Sequence, residues 1–382
     1  MPPRIPDKLI SAARERIERG SSRSLSELLE GIDICSNDYL GIARALGQPA
    51  TLQSVLSAIQ GPLGATGSRL VSGHRAAHEM LEQFLATFHR AETSLIFGSG
   101  YEANVGLLSS IATRTDTIFY DELVHASMRD GIRLSHARSY SFRHNDLNDL
   151  RQKLLQARGD RFIVVESLYS MDGDISPLED LCTLAEESGA YLIVDEAHAT
   201  GVYGLRGEGL VVQRSLDDRV FARIHTFGKA VGFRGACVVG PKALREHLIN
   251  TARPFIYSTA PDAFSLAVTQ KAYELMSAAS AERAALQQLL DDWNIFRSKV
   301  SDLKFLPSHS PIQGIVVPGN QRVLQLEKHL RSHGFLVRAI RSPTVPAGEE
   351  RLRVCLHSFN SLSDLTGAVQ TILEHDMRGV AA

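Results

Sequence analysis

Nowhere in the 382-residue sequence does an uninterrupted apolar run approach the roughly 20 residues needed to span a bilayer. Cysteine is scarce: Cys35, Cys182, Cys237 and Cys355 lie far apart, each among apolar or strand-like neighbours. No CxxC pair occurs, so metal binding and a disulfide framework are both poor readings. Reduced, mostly buried thiols in a cytoplasmic protein fit better. An excess of one charge is also missing. With 41 basic and 43 acidic residues the net charge is -2, which gives no reason to expect nucleic acid or an anionic membrane as a partner. The first residues, up to Pro6, hold no apolar core of signal-peptide length. Neither an internal repeat nor a low-complexity tract stands out. What is present is an ordinary globular composition, 44% hydrophobic and 22% charged, long enough for two domains or one large domain with a satellite.

Residues 7–19 read as a short charged helix, followed by a Ser-rich link and a strand near 32–35. A glycine-rich loop covers 61–73, after which Met80, Leu81, Phe84, Leu85 and Phe88 recur at helical spacing. His74, His78 and His89 fit the surface of that helix. Strand-like runs follow at 94–97, 117–120, 138–142, 162–166, 191–195, 220–225 and 236–239. Helical patterns beginning near Tyr101, His125, Asp146 and Pro177 separate most of them. That alternation implies βαβ units and a largely parallel sheet. Residues 162–165 and 191–194 are continuous apolar runs, as strands covered on both faces should be. After Thr259 two long helical stretches, about 262–279 and 281–300, lead to strands near 312–317, 336–339 and 352–356. The expected organisation is an N-terminal segment (1–45), a large α/β domain (46–259) and a smaller C-terminal α/β domain (260–382).

In an open parallel sheet, ligands bind outside the carboxyl ends of the strands. Three groups of residues stand at such ends. Gly98-Ser99-Gly100 follows one strand and opens a helix, so the N–H groups of Gly100 and Tyr101 can hold a phosphate; taken alone, the motif reads better as a plain tight turn. Asp195 ends an apolar run, with His198 three residues on. A carboxylate there can pair with a protonated pyridine nitrogen, which keeps such a ring an electron sink; a helix cap or salt bridge is the plainer alternative. Lys229 follows the strand run 220–225, flanked by Phe227, Gly228, Ala230 and Val231, a poor setting for surface solvation. A lysine desolvated in this way forms Schiff bases. Each signal is weak alone. Together, in this order on successive βα units and with Lys229 34 residues beyond Asp195, they point to pyridoxal 5'-phosphate (PLP) chemistry.

The chain resembles the fold-type I PLP enzymes, and among them the α-oxoamine synthases. The match runs from Ser36–Gly41 through Gly98–Asn104, Asp121–Ser127, Ser170–Asp174, Val194–His198, Thr226–Lys229 and Ile256–Thr259 to Arg351-Leu352-Arg353. The resemblance implies a large PLP-binding domain with a mostly parallel sheet flanked by helices, plus a smaller C-terminal α/β domain. By that resemblance Lys229 would carry PLP and later move the substrate α-proton. Asp195 would pair with the pyridinium while His125 stacks on the ring's other face. Ser170 and His198 would contact the ring hydroxyl. Gly100, Tyr101 and Thr226 would hold the phosphate, joined by Ser258 or Thr259 from a second subunit of a homodimer. Asn37 and Arg353 look like the clamp on the amino-acid carboxylate.

The segment 340–353 looks most like the subgroup that joins L-alanine to a pimeloyl thioester, carried on CoA or on acyl carrier protein, with loss of CO2. In that subgroup the product leads to biotin. One departure is the stretch 357–360 (His-Ser-Phe-Asn), which stands where relatives have an Ala-rich segment and bears on the acyl pocket. Sister synthases using glycine or serine with another acyl-CoA are the main alternative. A non-catalytic regulatory subunit is the alternative of another class, against which Lys229, Asp195 and His198 together count. A nicotinamide dehydrogenase fits poorly, because Gly98-Ser99-Gly100 does not extend to a full GxGxxG.

Overall fold

The computed structural model describes residues 5–23, 25, 30–59 and 61–380, the last five as backbone. The chain forms two compact units. The larger comprises Asn37–Ser170 and Asp174–Ala284; the smaller comprises Met1–Ser36, Met171–Gly173 and Ala285–Ala382.

Strand β1 (Ile32–Asp33) comes first in the chain and belongs to the smaller unit. Seven strands then build the sheet of the larger unit: β2 (Thr93–Phe97), β3 (Thr117–Asp121), β4 (Arg138–Phe142), β5 (Arg161–Glu166), β6 (Ala190–Asp195), β7 (Ala222–Thr226) and β8 (Ala236–Gly240). Their spatial order is β2-β8-β7-β6-β5-β3-β4. Neighbours from β4 to β7 pair in parallel, and β8 alone runs against both its neighbours. The central strands are apolar on both faces and fully covered: Ile163, Val164, Ile193, Ala222 and Ile224 are each 0% exposed. Because the other six strands share one direction, Phe97, Asp121, Glu166, Asp195 and Thr226 end on the same edge.

Two helices set the geometry above that edge. Helix Gly100–Ser110 packs on helix Ala126–Leu134, and the approach is close at Gly131. A Cβ there would stand 2.9 Å from both the Asn104 carbonyl oxygen and Leu108 Cβ. Glycine is what lets the two helices come near enough for their side chains to meet.

The smaller unit carries β9 (Ile312–Val316), β10 (Phe335–Leu336), β11 (Arg338–Ile340) and β12 (Arg351–Cys355). Strand β12 lies between β11 and β9, antiparallel to both, and β1 pairs in parallel with β10. The units differ from the sequence-based division at three places. The N-terminal segment is split, Met1–Ser36 joining the smaller unit, where β1 pairs with β10, while the larger unit begins at Asn37. Met171–Gly173 also belongs to the smaller unit. The later boundary falls at Ala284, not near 260, because helix Ala263–Ala278 buries Leu266, Ala272, Tyr273 and Met276 in the larger unit.

Two histidines expected on a helix surface are fully buried. His78 and His89 lie on or next to helix Ala76–Phe88 and follow helical spacing with Glu82 and Leu85 along its one buried face. His89 stacks on His225 at 3.5 Å and pairs through Nε2 with the Tyr273 hydroxyl at 3.0 Å. Burial pushes His89 down to about 3 and His78 down to about 4, so both are neutral packing groups. His74 keeps an exposed side chain and faces Glu79. No helix among the described residues is long and apolar enough to cross a membrane.

The close approach at Gly131 makes a testable claim. Gly131→Val is expected to destabilise the protein by roughly 1–3 kcal/mol, the usual cost of overpacking, read as a lower urea midpoint. An unchanged midpoint would show that the helix pair has room to spare.

Candidate active site

A cavity of about 440 Å³ opens at the carboxyl edge of the larger unit's sheet. Its lining brings together Asn37, Gly100, Tyr101, His125, Asp195, His198, Thr226 and Lys229, eight residues that the sequence singles out. Several chain segments converge there, each with its own local reason.

After β2 the chain turns at Gly98 and Ser99 into helix Gly100–Ser110. Ser99 caps the helix, its Oγ accepting from the Glu102 N–H at 3.1 Å, while the Glu102 carboxylate accepts from the Gly98 N–H at 3.0 Å. Gly100 has no room for a side chain, since a Cβ would lie 2.5 Å from Thr226 Cγ2. The N–H groups of Gly100 and Tyr101 open the first turn of this helix, where an anion could be held beside Thr226. The Thr226 hydroxyl is buried with no hydrogen-bond partner among the described residues, as a waiting phosphate contact would be. Only the Tyr101 backbone is available for such a contact, for its hydroxyl is committed to Asp130.

Asp195 ends β6 and is 4% exposed. Its Oδ1 accepts from the Ala197 N–H and its Oδ2 from Asn104 Nδ2, both at 2.8 Å. The same Asn104 amide donates to Ser127 Oγ at 3.0 Å, and Ser127 Oγ lies 2.7 Å from His125 Nδ1. His125 caps helix Ala126–Leu134, accepting from the Ser127 N–H at 3.2 Å. Desolvation lowers the His125 pKa below its ordinary value; the Asp195 charge opposes this and the Lys229 charge adds to it.

Beside Asp195, paired with it in the β5–β6 register, stands Glu166. It is 3% exposed and one carboxyl oxygen, Oε1, has no partner. Burial, reinforced by the Asp195 charge, pushes it up to about 8, so Glu166 carries a proton at neutral pH. On the other wall the Tyr39 hydroxyl bridges His198 Nδ1 at 2.8 Å and Asn37 Oδ1 at 3.2 Å. Lys229 sits in the turn after β7, which Gly232 closes by donating its N–H to the Lys229 carbonyl at 2.7 Å. Gly232 has φ +77°, and a Cβ there would lie 2.4 Å from the Ala43 nitrogen.

Four sequence-selected residues lie outside this lining. Ser170 is absent from it. Ser258 and Thr259 border a separate cleft with Arg69 and Phe255. Arg353 belongs to the smaller unit, on β12, 7% exposed, with its Nη1 donating to Cys355 Sγ at 2.9 Å. Conversely, Asn104, Ser127, Glu166 and Arg234 line the cavity, and Tyr39 bonds His198 from behind it, without having been singled out. Asn104, Ser127 and Tyr39 fall inside the motifs that carry the family resemblance, yet their partners are far away in sequence.

The residues fit PLP. An acid at one strand end, an amine in the next loop and a helix N-terminus with an unpartnered hydroxyl supply the three contacts that a pyridinium, an aldehyde carbon and a phosphate require.

The aminotransferase class I and II family model matches residues 30–372, and the chain belongs to that family. The 8-amino-7-oxononanoate synthase of Emericella nidulans is 40% identical, covering 96% of this chain and 94% of its own. That of Alkalilimnicola ehrlichii is 42% identical over 88% of this chain and 86% of its own. Within the family, then, the chain groups with the 8-amino-7-oxononanoate synthases. Among solved structures, Sphingomonas wittichii serine palmitoyltransferase is similar with a TM-score of 0.85 and 27% identity, covering 96% of this chain and 95% of its own. The 8-amino-7-oxononanoate synthase of Francisella tularensis gives 0.78 and 28%, covering 92% and 99%.

Glu166 carries a pH prediction. Its ordinary pKa is 4.5 and its folded value about 8, so between these the folded state holds a proton that the unfolded chain has released. Stability therefore falls as pH rises through that window. Glu166→Gln removes the loss, and its advantage over the parent should grow from about pH 5 to 8, with a slope approaching ~1.4 kcal/mol per unit for one proton. Urea unfolding of the cofactor-free protein at a series of pH values measures it; parallel curves for the two proteins would contradict the assignment.

Proposed function

We propose that this protein is a PLP-dependent acyltransferase that condenses L-alanine with a pimeloyl thioester, releasing CO2 and the free thiol and forming 8-amino-7-oxononanoate for biotin synthesis. The observation that carries the chemistry is that Lys229 and Asp195 line one cavity. The substrate assignment is supported by the identity of about 40% to 8-amino-7-oxononanoate synthases over nearly the whole chain.

When bound, PLP supplies an electron sink that stabilises negative charge at the amino acid's α-carbon. The chain's residues do the rest. Lys229 Nζ would hold the cofactor and would act as the base that removes the substrate's α-proton and later returns one. Asp195 would hold the ring nitrogen in its protonated form. His125 would cover one face of the ring, and His198 with Ser170 would hold its hydroxyl. Gly100, Tyr101 and Thr226 would grip the phosphate, with Ser258 or Thr259 contributed by a second copy in a homodimer. Arg353, whose planar fork suits two oxygens, and Asn37 hold the substrate carboxylate until it leaves as CO2. The acyl donor is a thioester on CoA or on acyl carrier protein, and the enzyme works in the cytoplasm.

A sister activity with serine or glycine is the second reading. It is favoured by the fold similarity to serine palmitoyltransferase and by the departure at 357–360, while the higher identity to the oxononanoate synthases opposes it.

Thiol release measured with alanine, glycine and serine against pimeloyl, acetyl and palmitoyl thioesters separates the two. The alanine and pimeloyl pair is expected to turn over fastest; preference for serine with palmitoyl thioester would replace the first reading by the second. Lys229→Ala is expected to abolish turnover while far-UV circular dichroism stays unchanged, and normal turnover in that variant would end the PLP assignment altogether.

A further inference from the structure

We propose that Ser127 and Asn104 are positioning residues that hold His125 as the neutral imidazole with its proton on Nε2, and tie it to Asp195. The proposal rests on the reaction proposed above for its consequences in turnover, but its geometric basis is independent of the substrate.

The argument is a count of hydrogens along one chain of bonds. The Asp195 carboxylate only accepts, so the group facing its Oδ2 at 2.8 Å must be the Asn104 NH2. That fixes which way round the amide lies. The second hydrogen of the same NH2 goes to Ser127 Oγ at 3.0 Å. Ser127 is fully buried, and its hydroxyl, having accepted from Asn104, has one hydrogen left to give. The acceptor within reach is His125 Nδ1 at 2.7 Å. The Ser127 backbone N–H points at the same nitrogen from 3.2 Å.

Two donors therefore converge on Nδ1. A hydrogen on Nδ1 would face both of them, so the ring keeps its proton on Nε2. The imidazolium form, with both nitrogens protonated, is disfavoured for the same reason. The charged and titratable groups around the ring do not reverse this. Burial is the largest influence and lowers its pKa; Asp195 raises it, Lys229 lowers it and Asp130, on the helix that follows, raises it, while burial also pushes Glu166 up to about 8.

For the reaction, an uncharged ring avoids placing a second cation beside a protonated pyridine. It also presents an N–H, rather than a bare nitrogen, as the edge open to substrate oxygens. The Asn104 amide serves Asp195 and Ser127 at once, so a change at the acid is transmitted to the imidazole through three hydrogen bonds.

The test is long-range proton–nitrogen NMR on 15N-histidine-labelled holoenzyme, with His125 assigned by the spectrum of His125→Gln. In the parent enzyme Nδ1 is expected to be bare and Nε2 protonated across neutral pH. Ser127→Ala should mix the tautomers, raise the His125 pKa by about 0.5–1 unit and lower kcat about tenfold with little change in KM. Ser127→Thr, which keeps the hydroxyl, should restore both readouts, and Asn104→Ala should act in the same direction as Ser127→Ala. A dominant Nδ1–H tautomer in the parent, or a Ser127→Ala spectrum identical to it, would overturn the proposal. If Ser127→Ala does not fold, the tautomer seen in the parent and in Ser127→Thr still decides. An enzyme with bare Nδ1 that releases no thiol from alanine and pimeloyl thioester leaves this inference standing and removes only the assigned reaction.

Discussion

A carboxylate taken out of water must be hydrogen-bonded, and Asp195 is the group around which the larger unit satisfies that demand. Its two oxygens take one donor from the turn that follows β6 and one from the middle of helix Gly100–Ser110. The second donor is available only because that helix starts where β2 ends and is drawn against helix Ala126–Leu134 at Gly131. Gly100 and His125 stand at the N-terminal ends of those same two helices. The packing that satisfies one buried acid thus also places the two residues proposed for the phosphate and for the ring face.

Glu166 adds a second acid beside the first, and the pair does not share charge equally. Two buried carboxyls at paired strand positions cannot both be ionised without a large cost. Asp195 has two firm donors, whereas Glu166 has an unpartnered oxygen, so it is Glu166 that takes the proton. Asp195, held by its two donors, is the carboxylate placed to meet a protonated ring nitrogen.

The parallel sheet was legible in the sequence because strands covered on both faces leave continuous apolar runs, as at 162–165 and 191–194. Asp195 and Lys229 were legible for a related reason: a polar residue that ends such a run stands out. The bonding partners were not. Tyr39 and His198 are 159 positions apart, and Asn104 and Asp195 are 91 apart, so neither pairing leaves a local pattern. The buried histidines were missed for a different cause. Helix Ala76–Phe88 buries one face, but that face runs through His78 and Glu82 as well as Leu81 and Leu85, and a neutral imidazole with partners at both nitrogens can be buried without an apolar signature.

The two units also explain why some motif residues have nothing to do with chemistry. The chain passes between units at Ser36–Asn37, Ser170–Met171 and Gly173–Asp174, and the motifs Ser36–Gly41 and Ser170–Asp174 straddle those passages. Within the smaller unit, the Asp172 carboxylate pairs with Arg351 of β12 and the Gly173 carbonyl accepts from Ser308 Oγ at 2.8 Å. Gly173 itself has φ +74°, and a Cβ there would strike the Ile312 carbonyl oxygen. Residues 171–173 are therefore an anchor of the smaller unit, inserted between stretches that belong to the larger one. A motif read along the chain merges residues of two kinds: those such as Asn37, whose side chain borders the cavity, and those such as Asp172 and Gly173, whose identity is set by how the chain is held where it passes from one unit to the other.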